Sequence, residues 1–186
     1  MTTAGPLAAI VAALDGAAIP HMLVGSFASS AHGAVRSTQD IDLVIDPTPE
    51  ALAAFVAALD PDKTYVSPST AAALARRDQF NLVDLASGWK VDLIIRKDRP
   101  FSRSEFARRR EAVVAGVRVW IATAEDTVLA KLEWAAVGGS ERQLADAAAV
   151  LDARAGELDD DYLDRWAARL GVGDQLAAAR RAASTD

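Results

Sequence analysis

Residues 22–46 of the 186-residue sequence read MLVGSFASSAHGAVRSTQDIDLVID, and within them Asp40 and Asp42 alternate with Ile41, Leu43 and Ile45. Successive side chains of a strand point to opposite faces, so the spacing predicts three aliphatics on one face and two carboxylates abreast on the other. Two carboxylates so placed can hold the same one or two Mg²⁺ ions, which in turn bind nucleotide phosphates. Such a site needs a third acidic group. The stretch WKVDLIIR supplies it in Asp92, set in an otherwise apolar strand where an uncompensated charge is costly. The competing reading places Asp40 and Asp42 on a solvent-facing edge and Asp92 in a salt bridge with Lys90 or Arg96.

Gly25 and Ser26 stand where a predicted strand gives way to a predicted helix. Free backbone N–H groups and the positive end of the helix dipole make such a junction an anion site. Gly25 permits close approach, and Ser26 serves as N-cap or as a hydroxyl donor to phosphate. A Gly-Ser turn carries little information by itself, and it gains meaning from the carboxylate pair beside it. Arg36 and Thr38 precede that pair in a loop that could reach phosphates, although Arg36 could equally balance the acidic cluster.

The elements that must position these residues follow from periodicity and end signals. Helices are predicted near 6–17, from Ser26 to about 34, and near 49–59, the last opened by Pro47 and Pro49. Strands are predicted at 21–25, 41–45, 63–66, 79–86 and 89–95, with a helix near 69–77 and the hairpin signal Ser87-Gly88. Residues 112–121 read as a hairpin turning at Gly116. From Thr123 the pattern is helical only, with Thr123/Asp126 and Ser140/Gln143 as capping boxes and Gly138-Gly139 between two helices. Further helices are predicted at 159–170 and 173–183. The chain reads as an α+β core over 1–122 followed by a helical bundle over 123–186.

Composition narrows the chemistry. Half of the residues are hydrophobic (51%) and a quarter charged (25%), enough for a substantial core. No apolar run is long enough to span a bilayer, and Met1 to Pro6 lacks a basic leader, so the expectation is a cytoplasmic protein without a membrane partner. Zero cysteines exclude disulfides, and two histidines point away from a zinc centre, which leaves oxygen ligands for any metal. His21 and His32 read as packing or surface residues, and Trp134 and Trp166 as bundle core. Segment 96–110, RKDRPFSRSEFARRR, carries a local charge of +5 within a chain of net −6. It reads as a solvated loop and helix start or as a surface for phosphates.

The order strand, Gly25-Ser26, helix, Arg36-x-Thr38-x-Asp40-x-Asp42, then Asp92 on a later strand resembles the nucleotidyltransferase superfamily of DNA polymerase β type. More narrowly it resembles the minimal bacterial nucleotidyltransferases related to AbiEii toxins, and EDTVLAKLEW and the helical text after it extend the likeness over most of the chain. The resemblance implies a nucleotidyltransferase-type mixed sheet with flanking helices. It implies that Asp40, Asp42 and Asp92 hold two Mg²⁺ ions, that Asp92 helps activate the acceptor hydroxyl, and that Gly25 and Ser26 grip the triphosphate of an NTP. It places Lys131 near the nucleotide, where the residues alone also allow a solvent-facing lysine. Transfer of a nucleoside monophosphate to RNA or protein follows, in a toxin–antitoxin or defence setting with a cognate toxin or antitoxin as partner.

One departure stands out. Where the toxins show Lys-Asp and a second Asp three residues on, this chain has Ala145, Asp146 and Ala149. Asp146 is then an active-site remnant, a partner for Lys131, or an acid favoured by the helix dipole. The alternative function is an antitoxin-like or regulatory nucleotide-binding module without turnover.

Overall fold

The computed structural model describes residues 4–34 and 38–183. They divide into two compact units, one drawn from 1–27 and 37–121, the other from 28–36 and 122–186.

The first unit is a seven-stranded mixed sheet with helices. In chain order it holds α1 (Ala4–Gly16), β1 (His21–Val24), the start of α2 (Gly25–Ala31), β2 (Asp40–Ile45), α3 (Pro49–Ala58), β3 (Thr64–Val66), α4 (Thr70–Arg76), β4 (Gln79–Asp84), β5 (Lys90–Ile95), α5 (Pro100–Arg108), β6 (Arg110–Val114) and β7 (Val117–Ile121). The strand order is β3-β4-β5-β2-β1-β7-β6. Strands β2 and β5 pair in parallel at its centre, while β1 runs antiparallel to β2. Ile41, Leu43, Ile45, Leu93 and Ile95 are fully or almost fully buried on their strands, as are Leu7 and Leu14 of α1 and Phe55 of α3. Burying each such side chain is worth about 1.5 to 3 kcal/mol, which fixes the face that β2 and β5 turn to the core.

Local chemistry sets the element ends. The Thr48 side chain accepts from the Ala51 N–H at 3.2 Å and Pro49 opens α3. Gly116 turns the β6–β7 hairpin with φ +81°. Segment 96–110 is more ordered than its charge suggests, because Pro100 starts a helix whose Phe101 and Phe106 are buried, and β6 already begins at Arg110.

The second unit contains α6 (Ala124–Gly138), α7 (Glu141–Ala153), α8 (Asp160–Leu170) and α9 (Gly173–Ala183). Thr123 caps α6 by accepting the Asp126 N–H at 3.2 Å. The Asp126 carboxylate accepts from the Thr123 hydroxyl (2.8 Å) and from Tyr162 (2.6 Å), a buried variant of the expected box. Ser140 makes no side-chain cap, contrary to the sequence pattern, and the Gln143 side-chain oxygen is buried without a partner. Trp166 lies in the core as expected, whereas Trp134 is 61% exposed. The helical phase explains the difference: Lys131, Leu132 and Ala135 turn inward and Trp134 falls on the far side. Among the described residues no helix is long and apolar enough to cross a membrane.

Candidate active site

Strands β2 and β5 carry the acidic residues because their register brings them together. In the parallel pairing Asp42 stands opposite Asp92 and Asp40 opposite Lys90. Adjacent strands lie about 4.8 Å apart and residues two apart share a face, so Asp40, Asp42, Lys90 and Asp92 form one four-membered charged patch. Their neighbours Ile41, Leu43, Val91 and Leu93 are buried on the opposite face. Along β2 the charged face runs from exposed Asp40 through half-buried Asp42 to buried Val44. Both the predicted carboxylate pair and the distant third carboxylate therefore share one patch of sheet.

Lys90 is the member that sequence reading treated only as a competing partner. Its ammonium donates to Asp92 Oδ2 at 2.8 Å, with the Lys90 side chain 40% exposed and Asp92 14%. The hydrogen bond to Asp92, and after it the charges of Asp92, Asp40 and Asp42, hold this ammonium above its usual range against the opposing effect of burial. One half of the competing reading is thus present, while the other partner considered for Asp92, Arg96, pairs with Asp46 at 2.9 Å.

Gly25 shows why a glycine ends β1. Its φ is +65°, and a Cβ there would lie 2.0 Å from Asp42 Oδ2. Val24 pairs with Asp42 across β1 and β2, so the turn into α2 passes directly beside that carboxylate. Ser26 is buried one residue inside α2, which begins at Gly25; it is therefore not the N-cap. Thr38 accepts the Asp40 N–H through its hydroxyl at 3.1 Å, fixing the start of β2. Arg36 lies outside the described residues.

The donor set fits a hard divalent ion. Its carboxylates offer oxygen ligands, the kind Mg²⁺ takes, with Asp42 and Asp92 in register and Asp40 two residues along the strand. Among the described residues no three acidic, histidine or cysteine side chains converge on one point.

Other predicted residues fall elsewhere. Lys131 belongs to the helical unit, is buried, and donates to Asp146 Oδ2 at 2.7 Å. That contact overturns the solvent-facing reading of Lys131 and makes Asp146 its partner. His21 is buried, its Nδ1 3.1 Å from the Ile19 carbonyl. His32 Nε2 donates to the Ala122 carbonyl at 2.8 Å, and burial lowers its pKa. In segment 96–110, Arg103 pairs with Asp98, Arg99 bonds Ser102, and Arg109 stacks over Phe106 and Trp120.

The sequence matches no protein-family model and no curated protein. Solved structures do match. ANT(2'')-Ia in complex with adenylyl-2''-tobramycin aligns at 17% identity and TM-score 0.57, over 87% of this chain and 92% of its own. The lincosamide antibiotic adenylyltransferase LnuA, lincomycin-bound, aligns at 11% identity and TM-score 0.54, over 80% and 96%. An antigenic nucleotidyltransferase-like protein from Paracoccidioides brasiliensis aligns at 15% identity and TM-score 0.55, over 95% and 91%. This chain has the nucleotidyltransferase fold: a mixed sheet with flanking helices and a helical C-terminal part.

Proposed function

We propose that the chain is a Mg²⁺-dependent nucleotidyltransferase that moves a nucleoside monophosphate from an NTP to a hydroxyl group. The in-register Asp42/Asp92 pair, with Gly25 pressed against Asp42, is the observation that carries this reading. Asp40, Asp42 and Asp92 would hold the ion, whose chemistry is to neutralise charge on the phosphates. The backbone at Gly25 and Ser26 lies beside the carboxylates and would receive the triphosphate. Thr38 keeps Asp40 in position, and Arg36 remains a candidate phosphate contact. The acceptor oxygen bonds to the α-phosphorus as the bond to the β-phosphate oxygen breaks; Asp92 takes the hydroxyl proton and pyrophosphate leaves.

The acceptor is best read as a small hydroxylated molecule, of the kind named for ANT(2'')-Ia and LnuA. RNA draws support from segment 96–110, but Arg96, Arg99, Arg103 and Arg109 are engaged within the protein, which leaves less charge for a phosphate backbone. An AbiEii-like affiliation, with a toxin or antitoxin partner, rests on the sequence resemblance alone. Nucleotide binding without transfer is the second reading, favoured by the hold of Lys90 on Asp92.

Incubation with each α-labelled NTP, Mg²⁺ and cell extract, followed by separation into RNA, protein and small molecules, tests the proposal. Label should enter the small-molecule fraction and disappear with Asp42→Ala. Label in RNA or protein would reassign the acceptor. NTP binding without label in any fraction would establish the second reading, and loss of both would overturn the function.

A further inference from the structure

The geometry points to Lys90 as a built-in counter-cation of the carboxylate patch, one that a divalent ion must displace from Asp92. This rests on the metal reading of Asp40, Asp42 and Asp92 proposed above and adds a positioning residue to it.

Three carboxylates on one face of two adjacent strands repel one another. Lys90 shares that face by register, opposite Asp40 and two residues before Asp92. Its ammonium binds Asp92 Oδ2, and Asp92 stands in register with Asp42, so a positive charge lies within the acidic patch. The two ends of the contact differ in exposure. Asp92 is held in the sheet with 14% of its side chain exposed, whereas Lys90 is 40% exposed on a flexible four-carbon stem. The lysine can swing into water while the carboxylate stays in place.

A single positive charge therefore stands on an oxygen that an incoming divalent ion needs. Lys90 does two opposed things: it relieves repulsion in the ion-free protein and lowers affinity for the ion that replaces it. Ion binding becomes an exchange, and the ion is favoured when it arrives with the negative phosphates of a nucleotide, which draw the released ammonium as well.

The test compares the parent with Lys90→Met, Lys90→Gln and Lys90→Arg, reading Mn²⁺ binding by the loss of the free-ion electron paramagnetic resonance signal and melting temperature in chelator. Removing one unit charge near the ion should tighten Mn²⁺ binding roughly fivefold or more in the Met and Gln variants. Both should also melt lower in chelator and gain more from Mn²⁺ than the parent, while Lys90→Arg behaves like the parent. Parent binding with unchanged Mn²⁺ affinity in Met and Gln variants would overturn the inference and leave the metal reading intact. No Mn²⁺ binding by any of the four proteins would overturn the metal reading, and the inference with it.

Discussion

Two of the lysine–aspartate contacts among the described residues are of almost equal length, Lys90 with Asp92 at 2.8 Å and Lys131 with Asp146 at 2.7 Å. Their surroundings make them different devices. In the sheet, a 40% exposed ammonium holds Asp92 on a face that Asp40 and Asp42 share, and its flexible stem lets it swing into water. In the helical unit both side chains are nearly buried, so removing Asp146 strands the Lys131 ammonium. Length alone says little about what an ion pair does; exposure and the local balance of charge decide it.

The comparison breaks most visibly at Asp146. Asp146→Ala should destabilise the protein by about 3 to 5 kcal/mol, since it strands a buried ammonium. The double variant Lys131→Met/Asp146→Leu should recover most of that loss in urea denaturation. A cost below 1 kcal/mol, roughly that of an exposed pair, would erase the distinction between the two contacts.

Gly25→Ala sharpens the sheet side. The left-handed backbone at φ +65° alone costs about 1 to 3 kcal/mol for a residue with a Cβ, and that Cβ must push Asp42 aside. Stability should fall and Mg²⁺-dependent NTP binding should be lost together. Full binding in a destabilised variant would detach Asp42 from the ion.

The smallest effect concerns His32 in the helical unit. Burial lowers its pKa below the ordinary 6.5, against the hydrogen bond to the Ala122 carbonyl. The unfolded chain then takes up a proton at a higher pH than the folded one. Stability from this group is full above pH 6.5 and declines as pH falls from there toward the depressed value. His32→Gln should flatten that part of a melting-temperature profile measured between pH 7 and 5; an identical slope would assign it to other groups.

Much of the candidate site's placement was legible because strand alternation is local. Asp40 and Asp42 announced their shared face through Ile41, Leu43 and Ile45, and Asp92 stood out against an apolar run. What was not legible depends on distant chain. No pattern within β2 or β5 states that Asp42 faces Asp92 instead of Lys90, because a shift of two residues would preserve every buried side chain. Lys90 reaches Asp92 from two residues away on the same strand, whereas the register sets Arg96 beside Asp46. Helix α5 was hidden by its arginines, since only Phe101 and Phe106 mark its inner side. Ser140 shows the opposite error, a correct cap signature whose hydroxyl is not used.

The pairing of β2 with β5 joins carboxylates about fifty residues apart in the chain, with two helices and two strands between them. When the protein emerges from the ribosome N-terminus first, Asp40 and Asp42 appear on β2 well before β5 exists. There they are two ordinary hydrated acids on one strand. The crowding of charge, its relief by Lys90 and any capacity to capture a divalent ion arise in a single event, when β5 docks. The proposed ion site would therefore come together only once β5 has paired with β2.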